Sequence, residues 1–108
     1  VSEVFKNMYV NCKEGDIVEI QSSVGLPANA IISPYVKKLL SGEKLTPSSC
    51  NQCLKHCNKN FCVSSRLVDG HTGDYEKGIF FAGKDAWKID DIVSVKEIFR
   101  RFKPVFDL

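Results

Sequence analysis

The stretch Cys50-Asn51-Gln52-Cys53-Leu54-Lys55-His56-Cys57-Asn58-Lys59-Asn60-Phe61-Cys62 places four cysteines within thirteen residues. The spacing C-x2-C-x3-C-x4-C admits two readings, and the choice decides what holds the fold together. If the segment is helical, in two pieces broken near Asn58-Lys59-Asn60, then Cys50 and Cys53 share a face, as do Cys53 and Cys57. Cys62 would close the set from the next turn of chain. Four thiolates meet the tetrahedral demand of Zn2+, and the first gap has zinc-site spacing. His56 stands by as a nitrogen ligand. Metal binding at such a site would contribute directly to folding free energy. Structural zinc sites, however, usually bring together two ligand pairs across a long intervening stretch. The spacing is not that of a ferredoxin either. The competing reading makes Cys53, Cys57 and Cys62 small apolar residues of a helical core. Both readings stand at this point: Cys50, Cys53, Cys57 and Cys62 as zinc ligands, or as packed thiols.

Outward from this segment, the chain reads as one small α+β domain, mainly helical, over residues 1–108. Ser2 can cap a first helix running to about Cys12, with Val4, Phe5, Met8 and Tyr9 on one face. Cys12 finishes that face. Glu14-Gly15-Asp16 makes a turn, and Ile17-Val18-Glu19-Ile20 has the β-branched content of a short strand. Gly25-Leu26-Pro27 breaks regular structure. Ser33 as N-cap and Pro34 at the first helical position open a second helix, which carries Tyr35, Val36, Leu39 and Leu40 inward and stops at Ser41-Gly42. Residues 69–78 read as a polar loop and Ile79-Phe80-Phe81-Ala82 as a short buried strand. Trp87 reads as a core or interface residue. Ser94 and Glu97 have capping-box spacing for a last helix. Val95, Ile98, Phe99 and Phe102, extended by Val105 and Phe106, form an apolar stripe expected to be buried.

Composition narrows the function classes. Of 108 residues, 44% are apolar and 26% charged, ordinary values for a soluble globular protein. A formal net charge of +2 without basic clusters argues against nucleic acid as a partner. No apolar run has the length of a membrane span, and the Val1-Ser2 start lacks a signal-peptide pattern. Five cysteines, four of them crowded, do not resemble a secreted disulfide scaffold, so a cytoplasmic protein with reduced or metal-bound thiols is expected. His71 and Asp74 lie too close in sequence to suggest more than a loop hydrogen bond. There is no nucleophile elbow and no phosphate-binding glycine loop. The chain shows no complete active site of its own.

Five ordered segments nevertheless resemble one family. Ser22-Ser23-Val24-Gly25-Leu26-Pro27-Ala28-Asn29-Ala30-Ile31 is similar to its SPVGLPGRAI segment. Cys53-Leu54-Lys55-His56-Cys57 resembles its CLKxC element, and Phe61-Cys62-Val63 its YCI. The segment from Gly73 to Gly83 is similar to GDxExGLxFxG, and Ile92-Val93-Ser94-Val95-Lys96-Glu97-Ile98 to IVSVKEL. These are motifs of the nitronate monooxygenases, formerly 2-nitropropane dioxygenases, a group that includes flavin-dependent enoyl-acyl-carrier-protein reductases.

The resemblance implies a small C-terminal region that covers the flavin of an FMN-binding (β/α)8 barrel. The barrel itself is absent from this chain, which is too short for the roughly 250 residues a barrel takes. It implies the upstream barrel and a small-molecule substrate as partners, with FMN as cofactor of the intact enzyme. Gly25 and Gly83 are positions where backbone could pass close to flavin or substrate, or where the chain merely turns. No catalytic residue falls on this chain, so the chain alone is expected to be inactive. Ser22-Ser23 replaces the family's Ser-Pro, and Ala28-Asn29 its Gly-Arg, so a guanidinium is missing and no role passes to Asn29. The implied activity is nitronate oxidation. Enoyl thioester reduction is one alternative, and a zinc-stapled interaction module without catalysis is another.

Overall fold

The computed structural model describes residues 1–106, the side chain of Phe106 excepted, so the expected place of Phe106 on the apolar stripe lies outside the described residues. Three serines begin helices as their positions predict. Ser2 accepts a hydrogen bond from the Phe5 N–H (3.1 Å) and starts α1 (Glu3–Val10). Ser33 accepts from Val36 N–H (3.4 Å) and starts α2 (Pro34–Leu40), with Pro34 in its first turn. Ser94 accepts from Glu97 N–H (3.2 Å) and starts α4 (Val95–Phe106). Each bond satisfies one of the donors that a helix start leaves unpaired.

Between α1 and α2 lies an antiparallel hairpin of β1 (Ile17–Gln21) and β2 (Pro27–Ile31), in register Ile17↔Ile31 and Gln21↔Pro27. Of the expected buried strand Ile79–Ala82, Ile79 and Phe80 are buried and Phe81 and Ala82 half-buried, and the segment is not a full strand. It meets β2 through one bridge, Ala30↔Phe81, flanked by Ile31 N–H to Phe80 O (2.8 Å) and Ala82 N–H to Asn29 O (3.1 Å). The remaining helix, α3 (Val63–Thr72), runs into the stretch expected to be a loop.

The hairpin sorts the core into two clusters. Ile20 and Ala30 pack with Tyr35, Val36, Phe61 and Ile79. Ile31 packs with Cys12 and Phe80, and Phe5, Met8, Tyr9 and Trp87 close over them. Phe61 and Phe80 are fully buried, each contributing about 1.5–3 kcal/mol of transfer free energy. The first residues of α1 are tied to the end of α3 by Ser2 N–H to His71 O at 2.9 Å.

Two further expectations fail. Residues 50–62, expected to be helical, are not, and the loop expected over 43–49 runs on to Cys62. Here backbone N–H groups turn to side-chain acceptors close in sequence: Gln52 N–H to Cys50 Sγ, Lys59 N–H to Cys57 Sγ, Asn60 N–H to Asn58 Oδ1 and Phe61 N–H to Asn60 Oδ1. Such local bonds compete directly with the i−4 carbonyls of a helix. The stripe of α4 is also not buried. Val95, Phe99 and Val105 are 68%, 70% and 62% exposed. A periodic stripe specifies a face, while burial needs a partner for that face. The projecting helix stretches the molecule to 52 × 27 × 24 Å, with a radius of gyration of 16.1 Å, against about 13 Å for a compact chain of this length.

Candidate functional site

Residues between Pro47 and Ser65 wrap around a hollow of about 510 Å³, and all four clustered cysteines line it, together with Lys55 and Lys59. Cys50 and Cys53 are exposed, and Cys57 and Cys62 are half-buried. The packed-core reading of these thiols is therefore corrected: Phe61, between Cys57 and Cys62, takes the core position instead. The thiols are not gathered at one centre either. Among the described residues, no three His, Cys, Asp or Glu side chains converge closely enough to hold a metal as they stand.

Each sulfur has polar company. Gln52 N–H donates to Cys50 Sγ at 3.3 Å and Lys59 N–H to Cys57 Sγ at 3.4 Å. Cys53 Sγ lies 3.4 Å from Ser64 Oγ. Cys62 occupies the N-cap position of α3 without closing a strict capping bond. The Ser65 hydroxyl, followed by the Ser65 backbone N–H, holds the Cys62 thiol below its ordinary range. Cys12 shows the opposite behaviour: burial, then the charge of Asp16, pushes its thiol up. Cys12 packs with Ile31 and Phe80 in the second core cluster, the core role expected of it.

The hollow is stitched to the tip of the hairpin. Ser23, almost fully buried, donates its hydroxyl to Phe61 O at 2.7 Å. Asn58 N–H donates to Ser23 O (2.9 Å), Asn58 Nδ2 to Ser22 O (3.3 Å) and Asn60 Nδ2 to Gln21 O (3.1 Å). Ser22 closes the turn on itself, donating its hydroxyl to Leu26 O at 2.6 Å. Sequence reasoning missed these anchors. The only available signal was the pair of asparagines flanking Lys59, read as a helix break.

Gly25 occupies this same turn with φ +83°, a conformation that side-chain-bearing residues avoid. The local turn thus accounts for the glycine. Both Gly25 and Gly83 are exposed, and no atom lies within 4 Å of where a Cβ would stand on either. The structure does not bring them into one enclosed site. His56 lies with Gly25, Ser23 and Lys55 around a shallow hollow beside the turn. His71 and Asp74 flank the end of α3, where their backbones serve: His71 O accepts from Ser2, and Asp74 N–H donates to Asp69 O at 2.8 Å. Trp87 packs in the second core cluster with Lys88 Nζ 5.6 Å from its ring.

No helix of the described residues is long and apolar enough to cross a membrane. No family model matches the sequence, and no curated protein matches it. Among solved structures, the fold is similar to that of the M276A mutant of FabK from Thermotoga maritima, with a TM-score of 0.70 and 23% sequence identity. The similarity covers 99% of this chain and 29% of that one, so the chain spans less than a third of the protein it resembles. Its four helices and two-stranded hairpin are thus a small α+β fold that matches a portion of FabK.

Proposed function

We propose that residues 1–108 form the C-terminal covering region of a larger FMN-dependent oxidoreductase. The observation that carries this reading is the fold likeness to FabK, which takes in nearly all of this chain and only 29% of that one. The exposed apolar face of α4 supports it, because a stripe containing Val95, Ile98 and Phe99 needs something to cover it. Of the two reactions implied by the sequence resemblance, the likeness to FabK favours enoyl thioester reduction with a reduced nicotinamide over nitronate oxidation.

In this reading the described residues do not hold the flavin by themselves. Gly25 and Gly83 are open backbone on the surface, and neither lines the hollow at the cysteine segment, whose walls include four thiols, two lysines and the side chains of Asn51 and Gln52. In this reading FMN is held by residues outside the chain and supplies the redox chemistry there. This region shapes the substrate side and keeps water out. The test is the coding sequence ahead of Val1, followed by purification of the longer protein. A flavin-bearing product that consumes reduced nicotinamide in the presence of a short enoyl thioester is the expected result. Nitronate-dependent oxygen uptake without enoyl reduction would restore the other reaction. Absence of any barrel-coding sequence would end the oxidoreductase reading.

A further inference from the structure

We propose that Cys50, Cys53, Cys57 and Cys62 bind one Zn2+ as a four-thiolate site that closes when the metal is added. The argument starts from a turn that the chain makes twice. Gln52 and Lys59 are the two non-glycine residues with positive φ among the described residues, at 54° and 59°. Each stands two positions after a cysteine, and each directs its N–H onto that cysteine's sulfur, at 3.3 and 3.4 Å. Left-handed backbone is unfavourable for residues bearing a Cβ, and a neutral thiol is a weak acceptor that repays it poorly. A thiolate is a far better acceptor, because hydrogen bonds to an ionised partner are the strong ones. The same peptide N–H groups, pointed at metal-bound sulfur, would supply the outer contacts that orient and tune a ligand.

The other two sulfurs are placed to complete the set. Cys53 Sγ lies 3.4 Å from Ser64 Oγ, and Cys62 begins α3 one residue before Val63. All four line the same hollow, so no ligand has to cross the core to reach the others. Four thiolates around Zn2+ leave two negative charges, and Lys55 and Lys59 line the same hollow to offset them. The sulfurs do not yet converge, but residues 43–61 contain no helix or strand that closure would have to break. Binding converts four thiols to thiolates and releases four protons, so affinity rises with pH. The bound metal would fix Asn58 and Asn60, and through them the hairpin tip at Ser22 and Ser23.

The experiment uses the full chain, reduced and stripped with chelator in the absence of oxygen. Zn2+ is titrated against a chromophoric chelator, Co2+ is added to a second portion, and reactive thiols are counted with and without metal. The expected result is one Zn2+ per chain, a tetrahedral cobalt–thiolate spectrum, and protection of all the clustered thiols. Cys50→Ser and Cys57→Ser should each weaken binding by ~100-fold or more, whereas Cys12→Ser should not change it. Cys50 is exposed in the irregular segment, so its replacement leaves the core intact; far-UV circular dichroism checks this directly. Three outcomes overturn the proposal: no stoichiometric metal, binding indifferent to Cys50→Ser, or the visible absorption of an iron–sulfur cluster in protein isolated anaerobically. None of these outcomes depends on the flavoenzyme reading.

Discussion

Single residues hold this fold at two places where nothing can be added or removed cheaply. At Gly78, a Cβ would stand 2.8 Å from Asp74 O and from Gly70 Cα, and 2.9 Å from Gly70 N, all backbone atoms. Gly78→Ala is expected to lower stability by about 1–3 kcal/mol in a urea titration, the usual cost of overfilling a packed site. At Ser23, the buried hydroxyl satisfies Phe61 O at 2.7 Å. Ser23→Ala should cost about 1–3 kcal/mol by the same measurement, because it strands a buried carbonyl. A loss within experimental error would mean that water replaces the hydroxyl. Neither role could be read from the sequence. Gly70 and Gly78 looked like loop glycines because close approach is a tertiary fact. Ser23 looked like a departure from a family pattern, because its partner lies 38 positions away. The capping serines were readable for the opposite reason: their partners are three residues on.

Among the elements, β2 was invisible to sequence reasoning. Pro27, Ala28 and Asn29 have little strand preference, and their pairing is imposed by β1 across a tight turn. Helix α4 was legible in extent but not in environment. Its start is reinforced by charge: Glu97 meets Arg100 at 2.6 Å and Arg101 at 3.2 Å, and Arg101 reaches Asp91 at 2.7 Å. Hydrogen bonds from Arg100, then Arg101, bring the Glu97 carboxyl down to about 2. A depressed carboxylate stabilises the folded form above its ordinary pKa and loses that contribution as pH falls toward the lowered value. Helicity from α4 should therefore decline between about pH 4.5 and 2 on acidification, and high salt should blunt the effect, because Arg100 and Arg101 are exposed and Glu97 is partly so. Glu97→Gln should remove this acid-dependent step from a circular dichroism titration. An unchanged titration in the variant would assign the step to other carboxylates.

The whole molecule is a compact body with one helix projecting from it. The apolar periodicity of that helix predicted a buried face, where truncating a Phe would cost about 3–5 kcal/mol. In this chain Phe99 is 70% exposed, so Phe99→Ala is now expected to change unfolding stability by less than about 0.5 kcal/mol. In the longer protein of the proposed function the same substitution should become costly, since the face would then be covered. Equal small effects in both would mean that α4 remains in solvent. At this scale, the resemblance of ordered motifs located the fold where composition could only bound it. The cysteine segment resisted both approaches. Its backbone is governed by short-range bonds to sulfur and amide oxygen, which helical spacing rules do not anticipate.

The stitches between the hairpin tip and the segment behind it have one more consequence. Asn58, Asn60 and Phe61 reach back to Gln21, Ser22 and Ser23, whereas Lys44 and Lys55 lie exposed ahead of them. A tryptic cut at either lysine would sever the polypeptide without severing the molecule. The two pieces should co-elute under native conditions and part only in denaturant, each peptide supplying half of a shared interior.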